Sequence, residues 1–394
     1  MNNTIVYFGK QFSSQTILSF SAAIIIQESN LNLNMKLSIC LTVYGAFLLL
    51  YSIIIVAIEA TSFYVGLIFT ILPFLCFIIL NWFAIPQPSE AVIREILGEN
   101  LWIIERDRHP LSGENESAEE DTFAIKTVAH RACGLDAPEN SMAAIKSCKN
   151  KGSKCIEIDL WLTADNIAVV FHDDTLERMT NGFGPIKIKT FQALQELKLA
   201  FQPEPHIKQT FVEAKIPTLD ECIKFCLESD IKLILDVKDT SDEMVHTLLA
   251  MYKRNPVLYR RVIVSGFDPL FIYKIRSADP QIACSMAWRP EYFTSVSFDA
   301  VHGSKRCSQL LHRHYFSLVM DYISAWLFNH ILFYLLGLSV VLLHKDVLSA
   351  RTVARWQNRG IRVMAWTVNN KTEKDYFVNV LHIPYLTDTL SYTH

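Results

Sequence analysis

Several acidic residues and one histidine lie within residues 155–174, a stretch that reads CIEIDLWLTADNIAVVFHDD. Two apolar, β-branched runs flank a polar Asp-Asn pair, and this composition is typical of two strands joined by a tight turn. With that pair as the turn, Asp159 is predicted to lie opposite His172, and Glu157 opposite Asp174. Strand residues two apart point the same way, so these four ionisable groups are predicted to share one face of a hairpin.

The pair Glu157 and Asp159 indicates a cation site. Carboxylates packed this closely repel one another unless a cation lies between them, and oxygen ligands suit a hard divalent ion. A histidine such as His172 beside the cluster could transfer protons, because imidazole titrates near neutral pH. The competing interpretations are that carboxylates at strand ends cap neighbouring helices and that a single histidine is structural.

From residue 124 onward, short β-branched runs alternate with helical segments. This alternation predicts a (β/α)8 barrel, in which active-site residues cluster at the carboxyl ends of the strands. Charged residues fall at the carboxyl ends of the predicted strands or directly after them, namely His130, Glu157, Asp159, Asp236 and Lys238. The predicted strands are 126–129, 155–160, 167–171, 231–237, 262–266, 282–287, 338–343 and 362–367.

The barrel is predicted to be irregular. Residues 160–167 are too few to hold the crossover that parallel neighbours need, so the third predicted strand must return antiparallel to the second, placing the hairpin on the catalytic rim. Two segments that interrupt the alternation are predicted insertions, at 173–217 and 288–336. The predicted organisation is a tail at 1–36, two hydrophobic membrane helices within 37–84, a linker at 85–123 and the barrel at 124–394.

Two uncharged runs near the start of the chain, 37–58 and 64–82, are each long enough to cross a bilayer. Buried core helices are the alternative, but a soluble barrel has little room for two such runs, so N-terminal transmembrane helices are predicted. The aromatic segment 315–336 could be a third span. That arrangement would separate the last two strands from the others, so a helix on the membrane surface beside the active-site mouth is predicted instead.

The 394-residue chain carries 37 basic and 40 acidic residues, so it lacks the excess of positive charge that would favour binding to nucleic acid. Its nine cysteines show neither zinc-site spacing nor a disulfide framework. Lys36 and Glu59, on either side of the first run, favour a cytoplasmic tail. Two full spans would then return the barrel to the cytoplasm, whereas one span with a re-entrant or interfacial second segment would leave it outside. Sequons at Asn115 and Asn370 permit a glycoprotein. The chain is thus predicted to be an integral membrane protein whose barrel is preferably lumenal or extracellular, with a cytoplasmic placement as the alternative.

Four sets of motifs carry a resemblance to a known family: HRACG with APENS, EIDLWLTADNIAVVFHDDTLERMTNGFG, DVK and AWTVN. In this order and spacing they resemble the glycerophosphodiester phosphodiesterase family over Thr127 to Asp388. The hydrophobic runs, the aromatic insertion and the ending with HKD, WTVN and YLTD are most similar to its membrane-bound glycerophosphoinositol phosphodiesterase branch. The resemblance implies an α/β fold, a TIM barrel of the phospholipase C-like phosphodiesterase type, and hydrolysis of glycerophosphodiesters to glycerol phosphate and an alcohol.

The resemblance also implies roles for individual residues. Carboxylates would hold a divalent metal, Mg or Ca, and two histidines would act as acid and base in an order left open. Asp236 could instead form a plain ion pair with Lys238. Arg131 could pair with Glu139, which also fits a capping box in the string DAPE, and Trp366 could be a core residue. The implied set is His130 and His172 for catalysis, Arg131, Glu139, Lys238 and Trp366 for substrate binding, and Glu157, Asp159 and Asp236 for the metal.

The chain departs from the family at Ala132 and Cys133, where members usually have glycine. A position that needs a positive φ would disfavour alanine, so reduced activity is one expectation. Two alternatives to hydrolysis of glycerophosphoinositol stay open. One is a lysophospholipase D that acts on lysophospholipids such as N-acyl lysophosphatidylethanolamine, which the apolar insertion favours. The other is a weakly active membrane scaffold.

Overall fold

The structure, a computed structural model, describes residues 33–58, 63–107, 123–201, 214–298, 306–307 and 310–391. The strands within these ranges belong to one sheet. In chain order they are β1 (Thr127–Ala129), β2 (Cys155–Leu162), β3 (Ala168–Val170), β4 (Lys232–Val237), β5 (Val262–Ser265), β6 (Ser285–Trp288), β7 (Val340–His344), β8 (Arg362–Trp366) and β9 (Tyr385–Thr387).

Helices alternate with the strands of the barrel. Several begin at a Ser or Thr whose side chain accepts a backbone N–H of the first turn, as Ser141, Thr218 and Ser349 do. The helices are α1 (Leu33–Ile58), α2 (Phe63–Phe83), α3 (Glu90–Leu97), α4 (Leu101–Asp107), α5 (Met142–Asn150), α6 (Phe191–Gln195), α7 (Leu219–Glu228), α8 (Asp242–Arg254), α9 (Pro269–Ala278), α10 (Leu311–Leu327), α11 (Phe333–Leu335), α12 (Ala350–Gln357) and α13 (Lys371–Asn379). A π-helical turn, Phe328–Leu332, joins α10 to α11.

Eight of the strands run parallel in the order β5-β4-β2-β1-β9-β8-β7-β6. The two end strands of this order meet through a backbone hydrogen bond from Val264 to Ala283 and another from Ala287 to Gly266, each 3.0 Å long. The sheet is therefore a nearly closed parallel barrel. This confirms the predicted (β/α)8 TIM barrel, although one of its strands differs from the prediction.

The third predicted strand lies outside the barrel wall. β3 pairs antiparallel with β2, as the short connection requires, but it is off the path of the eight parallel strands. The eighth place belongs to β9, which pairs with β1 and β8 and was not predicted. The count of eight was therefore right, but the assignment of 167–171 to the wall was wrong. β9 has three residues, too few for a periodic pattern to reveal.

The pairing of β2 with β3 is shifted by one residue from the prediction. Leu160 pairs with Val170, which makes the turn one residue longer than the predicted turn. The carbonyl of Asp159 accepts the N–H of Phe171 at 3.0 Å. Asp159 therefore lies opposite Phe171 and not His172. The predicted arrangement of four ionisable groups on one hairpin face was wrong, because a shift of one residue exchanges the two faces of a strand.

An apolar layer fills the barrel beneath its charged rim. α3 presents Ile93, Ile96 and Leu97 on one face, with the spacing of an amphipathic helix. These side chains pack in one cluster with Ile125, just before β1, and with Cys155, at the start of β2. α3 therefore covers the amino-terminal end of the barrel, and the carboxyl ends of the strands form the open mouth.

The two predicted N-terminal membrane runs fall on α1 and α2, helices of 26 and 21 residues. Within the described ranges, Leu311–Leu335 is the helical stretch that is long and apolar enough to cross a membrane, with 25 residues and only 11% of its most apolar window buried. It contains most of the aromatic segment predicted to lie on the membrane surface, and it connects two strands of the same barrel. Membrane crossing by α1 and α2 stays a prediction.

Candidate active site

Three carboxylates from two adjacent strands meet at the mouth of the barrel. Glu157 and Asp159 are two residues apart on β2, so they project from the same face of that strand. The parallel register between β2 and β4 places Asp236 beside Asp159. One oxygen of each carboxylate lies within 4.8 Å of the others. All three residues are buried, so the sheet brings the predicted metal ligands together away from solvent.

The protein's own groups do not fully neutralise this cluster. The Lys238 ammonium hydrogen bonds to Asp236 and lies 3.0 Å from Oδ1 of Asp159. Oδ1 of Asp236 is buried and has no hydrogen-bond partner among the described residues. Burial, together with the neighbouring Asp159 carboxylate, raises the pKa of Glu157 to about 8. A buried oxygen without a donor and a carboxylate whose negative charge is disfavoured by burial both fit a divalent cation with oxygen ligands.

His130 approaches the cluster from the short 3₁₀ turn that follows β1. Its Nδ1 lies 2.6 Å from Oδ1 of Asp388, and its Nε2 lies 4.0 Å from Oε2 of Glu157. Burial alone would lower the pKa of His130, but these two carboxylates outweigh burial and raise it above its usual value. The imidazole is therefore oriented through Nδ1, and Nε2 faces the cluster.

His172 follows β3 on the rim and is held in a similar way. Its Nδ1 lies 2.6 Å from Oδ1 of Asp173, and its carbonyl accepts the indole N–H of Trp161 at 3.1 Å. Burial alone would raise the pKa of Asp159, but the charges of Lys238 and then His172 lower it. Both predicted catalytic histidines thus stand close enough to the cluster to influence its charges.

Arg131 and Glu139 lie beside the cluster in the connection after β1. Nη1 of Arg131 is 3.4 Å from Oε1 of Glu139, and the backbone N–H of Arg131 donates to Oε2 of Glu157 at 2.8 Å. Nε of Arg131 is buried 3.7 Å from Oδ2 of Asp159 and has no hydrogen-bond partner among the described residues, so one donor of the guanidinium is unused. The alternative capping box in DAPE does not form, because α5 begins at Met142 with Ser141 as its N-cap.

The turn that carries His130 has left-handed backbone at three consecutive residues. Arg131, Ala132 and Cys133 have φ angles of 49°, 57° and 64°. The position at which the family usually has glycine therefore does require a positive φ, which costs an alanine about 1–2 kcal/mol. Ala132 and Cys133 are both buried, so tertiary packing maintains this turn.

Trp366 and Lys238 border a wall of aromatic rings. The Lys238 ammonium lies 5.9 Å from the ring centre of Phe267, which is 5.7 Å from Trp366 in an edge-to-face contact and 5.4 Å from Tyr292 in a stacked one. The Trp366 indole donates to the carbonyl of Leu342 at 3.1 Å. This bond fixes Trp366 beside Phe267, so the indole forms part of the aromatic wall.

Other polar residues support the site, and the sequence did not assign them this role. Asn140, at φ 57°, donates to Oδ2 of Asp159 at 2.7 Å and accepts that residue's N–H at 3.1 Å. Asn369 donates to Oδ2 of Asp388 at 2.8 Å. Their position beside motif residues was the available signal. Asp174, predicted to join the charged face, is exposed.

The fold and this site define a class of protein, a parallel (β/α)8 barrel whose mouth carries a carboxylate cluster and two histidines suited to phosphodiester hydrolysis. The model of the Glycerophosphoryl diester phosphodiesterase family matches residues 130–390. The chain belongs to this family, and it is an enzyme of the phosphoric diester hydrolase class.

Relatives within the family agree with the branch that the motifs indicated. Human Glycerophosphodiester phosphodiesterase 1 is 34% identical over 266 residues, which are 68% of this chain and 78% of the relative. The protein of the same name from Bos taurus gives the same figures. The structure of a glycerophosphodiester phosphodiesterase from Agrobacterium tumefaciens is 18% identical, covers 67% of this chain and 96% of its own, and has a TM-score of 0.50. The predicted family and branch are confirmed, and the last comparison supports the fold alone.

Proposed function

We propose that this enzyme uses a divalent cation, Mg or Ca, to hydrolyse glycerophosphodiesters such as glycerophosphoinositol to glycerol phosphate and an alcohol. The observation that carries the proposal is the meeting of a buried cluster, Glu157, Asp159 and Asp236, with two oriented histidines at one mouth. A bound cation would supply positive charge beside the phosphate oxygens. The name of the human relative refers to the same activity.

The protein's own groups can perform the proton transfers and bind the phosphate. Cleavage removes a proton from the attacking oxygen and delivers one to the leaving oxygen, and the Nε2 atoms of His130 and His172 are available for these two transfers. Nε of Arg131 would donate to a phosphate oxygen, with Glu139 holding the guanidinium in place. Lys238 would add positive charge where negative charge develops in the transition state.

A lysophospholipase D activity is the second candidate function. The aromatic wall formed by Phe267, Tyr292 and Trp366 offers an apolar surface beside Lys238 to the acyl part of a lysophospholipid. Tyr315 and Phe316 on α10 add exposed aromatic surface. The family and the named relatives are phosphodiesterases, which argues against the scaffold alternative.

We also propose that α1 and α2 attach the enzyme to a membrane, with the barrel lumenal or extracellular and a cytoplasmic barrel as the alternative. Both helices are long and uncharged over the predicted runs. Of the two sequons, Asn115 lies outside the described residues. Asn370 is exposed at the start of α13, a position open to glycosylation.

Chelation tests the proposed activity. The full chain in detergent would be assayed on glycerophosphoinositol and on a lysophospholipid, first with EDTA and then with Mg or Ca restored. EDTA should abolish hydrolysis, and one of the two ions should restore it. Asp236→Asn should lower kcat about 100-fold or more, whereas Asp375→Asn, at an exposed carboxylate on α13, should not. Hydrolysis that persists unchanged in EDTA would refute the metal assignment, and a preference for the lysophospholipid would favour the second candidate.

A further inference from the structure

The two catalytic histidines are each bonded through Nδ1 to a carboxylate, but those carboxylates are supported differently. Asp388, the partner of His130, accepts a hydrogen bond from the neutral amide of Asn369. Asp173, the partner of His172, is adjacent to it in sequence and lies on the rim. Its carboxylate needs a contact of its own to stay in one rotamer, because fixing a side chain costs rotamer entropy.

Arg178 supplies that contact. Its Nε donates to Oδ2 of Asp173 at 2.6 Å, and its Nη2 donates to Oδ1 of Asp173 at 2.8 Å. The same guanidinium binds the carboxylate of Glu139, through Nη2 at 2.6 Å and Nη1 at 3.2 Å. It therefore clamps two carboxylates that come from different loops of the mouth, one after β1 and one after β3.

The donors of Arg178 are fully used by these contacts. A guanidinium has five N–H donors. Four face Asp173 and Glu139, and Nη1 also lies 3.0 Å from the sulfur of Met179. Arg178 thus has no donor left for a substrate phosphate in this arrangement. Arg131 differs, because its buried Nε has no hydrogen-bond partner among the described residues.

We propose that Arg178 is a positioning residue. Through Asp173 it holds the His172 imidazole in its working orientation, and through Glu139 it holds the Arg131 guanidinium in a fixed position relative to that imidazole. The inference rests on the proposed function. A lysine could not replace this arginine, because an ammonium is a point charge that cannot bind two carboxylates in a forked manner. The pKa of Asp173 agrees with the contact: burial would raise it, but His172 and Arg178 lower it.

The test compares Arg178→Ala, Asp173→Asn and the double variant in steady-state hydrolysis of glycerophosphoinositol. Each single change should lower kcat about 10- to 100-fold with KM within about threefold, the loss typical of residues that orient active-site histidines. The double variant should be no slower than the slower single variant, because both changes break the same chain of contacts. Added guanidinium should partly restore kcat of Arg178→Ala, and Arg178→Lys should lose activity as well.

Arg260→Ala is the matched control, since Arg260 is an exposed arginine paired with Glu95 at 2.7 Å, far from the mouth in sequence and fold. It should leave kcat unchanged. If the fold-losses of kcat in the two single variants multiply in the double variant, or if KM rises at constant kcat, the positioning role is wrong and direct substrate contact is indicated. A loss of kcat in Arg178→Ala that added guanidinium does not restore, accompanied by a lower thermal unfolding temperature, would also overturn it. An inactive parent refutes the proposed function, whereas an active parent with an unaffected Arg178→Ala refutes only this inference.

Discussion

At the scale of single residues, the site depends on contacts between positions that are far apart in the chain. His130 and Asp388 are separated by 258 residues, yet Nδ1 and Oδ1 are 2.6 Å apart. Asp388 is in turn fixed by Asn369, which donates to its carboxylate and accepts its backbone N–H, both at 2.8 Å. This chain of contacts sets the orientation of the imidazole: Nδ1 faces Asp388, and Nε2 faces the carboxylate cluster.

Asp388→Asn should therefore lower kcat about 10- to 100-fold with little change in KM, because the imidazole loses the charge that orients it. Steady-state kinetics on glycerophosphoinositol measure this. Asp375→Asn, the same change at an exposed position, is the control and should be neutral. A parent-like kcat in Asp388→Asn would mean that packing alone orients His130.

At the scale of elements, the barrel is completed by the short strand β9 and the chain that follows it. The carboxylate of Asp136, in the connection after β1, accepts hydrogen bonds from Thr389 at 2.7 Å and from the N–H of Leu390 at 2.8 Å. It also lies 2.7 Å from the ammonium of Lys151. One buried carboxylate therefore ties the end of the chain to the first strand-helix connection.

This tie should make stability depend on pH. Burial would raise the pKa of Asp136, but Lys151, Thr389 and Leu390 outweigh it, so the folded protein lowers the pKa. The stabilisation is therefore complete above the unfolded pKa of about 4 and is lost as pH falls through the lower folded pKa. Asp136→Asn should reduce the free energy of unfolding by about 1–3 kcal/mol at pH 7.

Urea unfolding of the full chain at several pH values measures this effect. The difference between the parent and Asp136→Asn should stay constant from pH 7 to about pH 4 and shrink below it. The exposed Asp375→Asn variant should track the parent throughout. A difference that does not change with pH would show that the amide alone, rather than the charge, accounts for the loss.

At the scale of the whole molecule, both N-terminal hydrophobic helices are anchored on the barrel. Met35, near the start of α1, is 2% exposed within the main apolar cluster of the barrel. At the other end, Asn81 in the last turn of α2 accepts a hydrogen bond from Tyr334, and Ile85 donates to the carbonyl of Leu335 at 3.0 Å. The start of α1 and the end of α2 therefore both lie at the barrel.

A buried arginine strengthens this attachment. Arg276 is 0% exposed and donates to the carbonyls of Leu336 at 3.1 Å and Ile282 at 2.8 Å, and also to the carbonyl of Pro86 just after α2. Burial lowers its pKa. The guanidinium thus joins three chain segments, which fixes the end of α2 against the barrel.

If α1 and α2 both cross the bilayer, the chain before Leu33 and the barrel should lie on the same side, with the connection at 59–62 on the other. This follows because the start of α1 and the end of α2 are both held against the barrel. Epitope tags at the two termini should be jointly protected or jointly digested when sealed membrane vesicles are treated with protease. A tag inserted at 59–62 should show the opposite behaviour. Protection of only one terminus would contradict a pair of crossing helices.

The sequence by itself determined the class of fold, most of its strands and the residue types of the site. Alternating strands and helices require a parallel sheet with crossovers, and the connection at 160–167 is too short for one, so the antiparallel return of β3 was predictable. The spacing of Glu157 and Asp159 determined that both project from one face of a strand. The motifs that contain His130, His172 and Asp236 are sufficient to indicate the confirmed family without any tertiary contact.

The tertiary structure alone decided how these residues are held. The register of β3 depends on a turn one residue longer than predicted, and β9 is too short for local pattern to reveal. The contacts of Asp388 with His130, and of Arg178 with Glu139, join residues distant in sequence. Such contacts arise from the closure of the barrel, which brings the carboxyl ends of all its strands to one mouth. The site residues could be predicted from the sequence, but the residues that they contact are determined by the closure of the barrel.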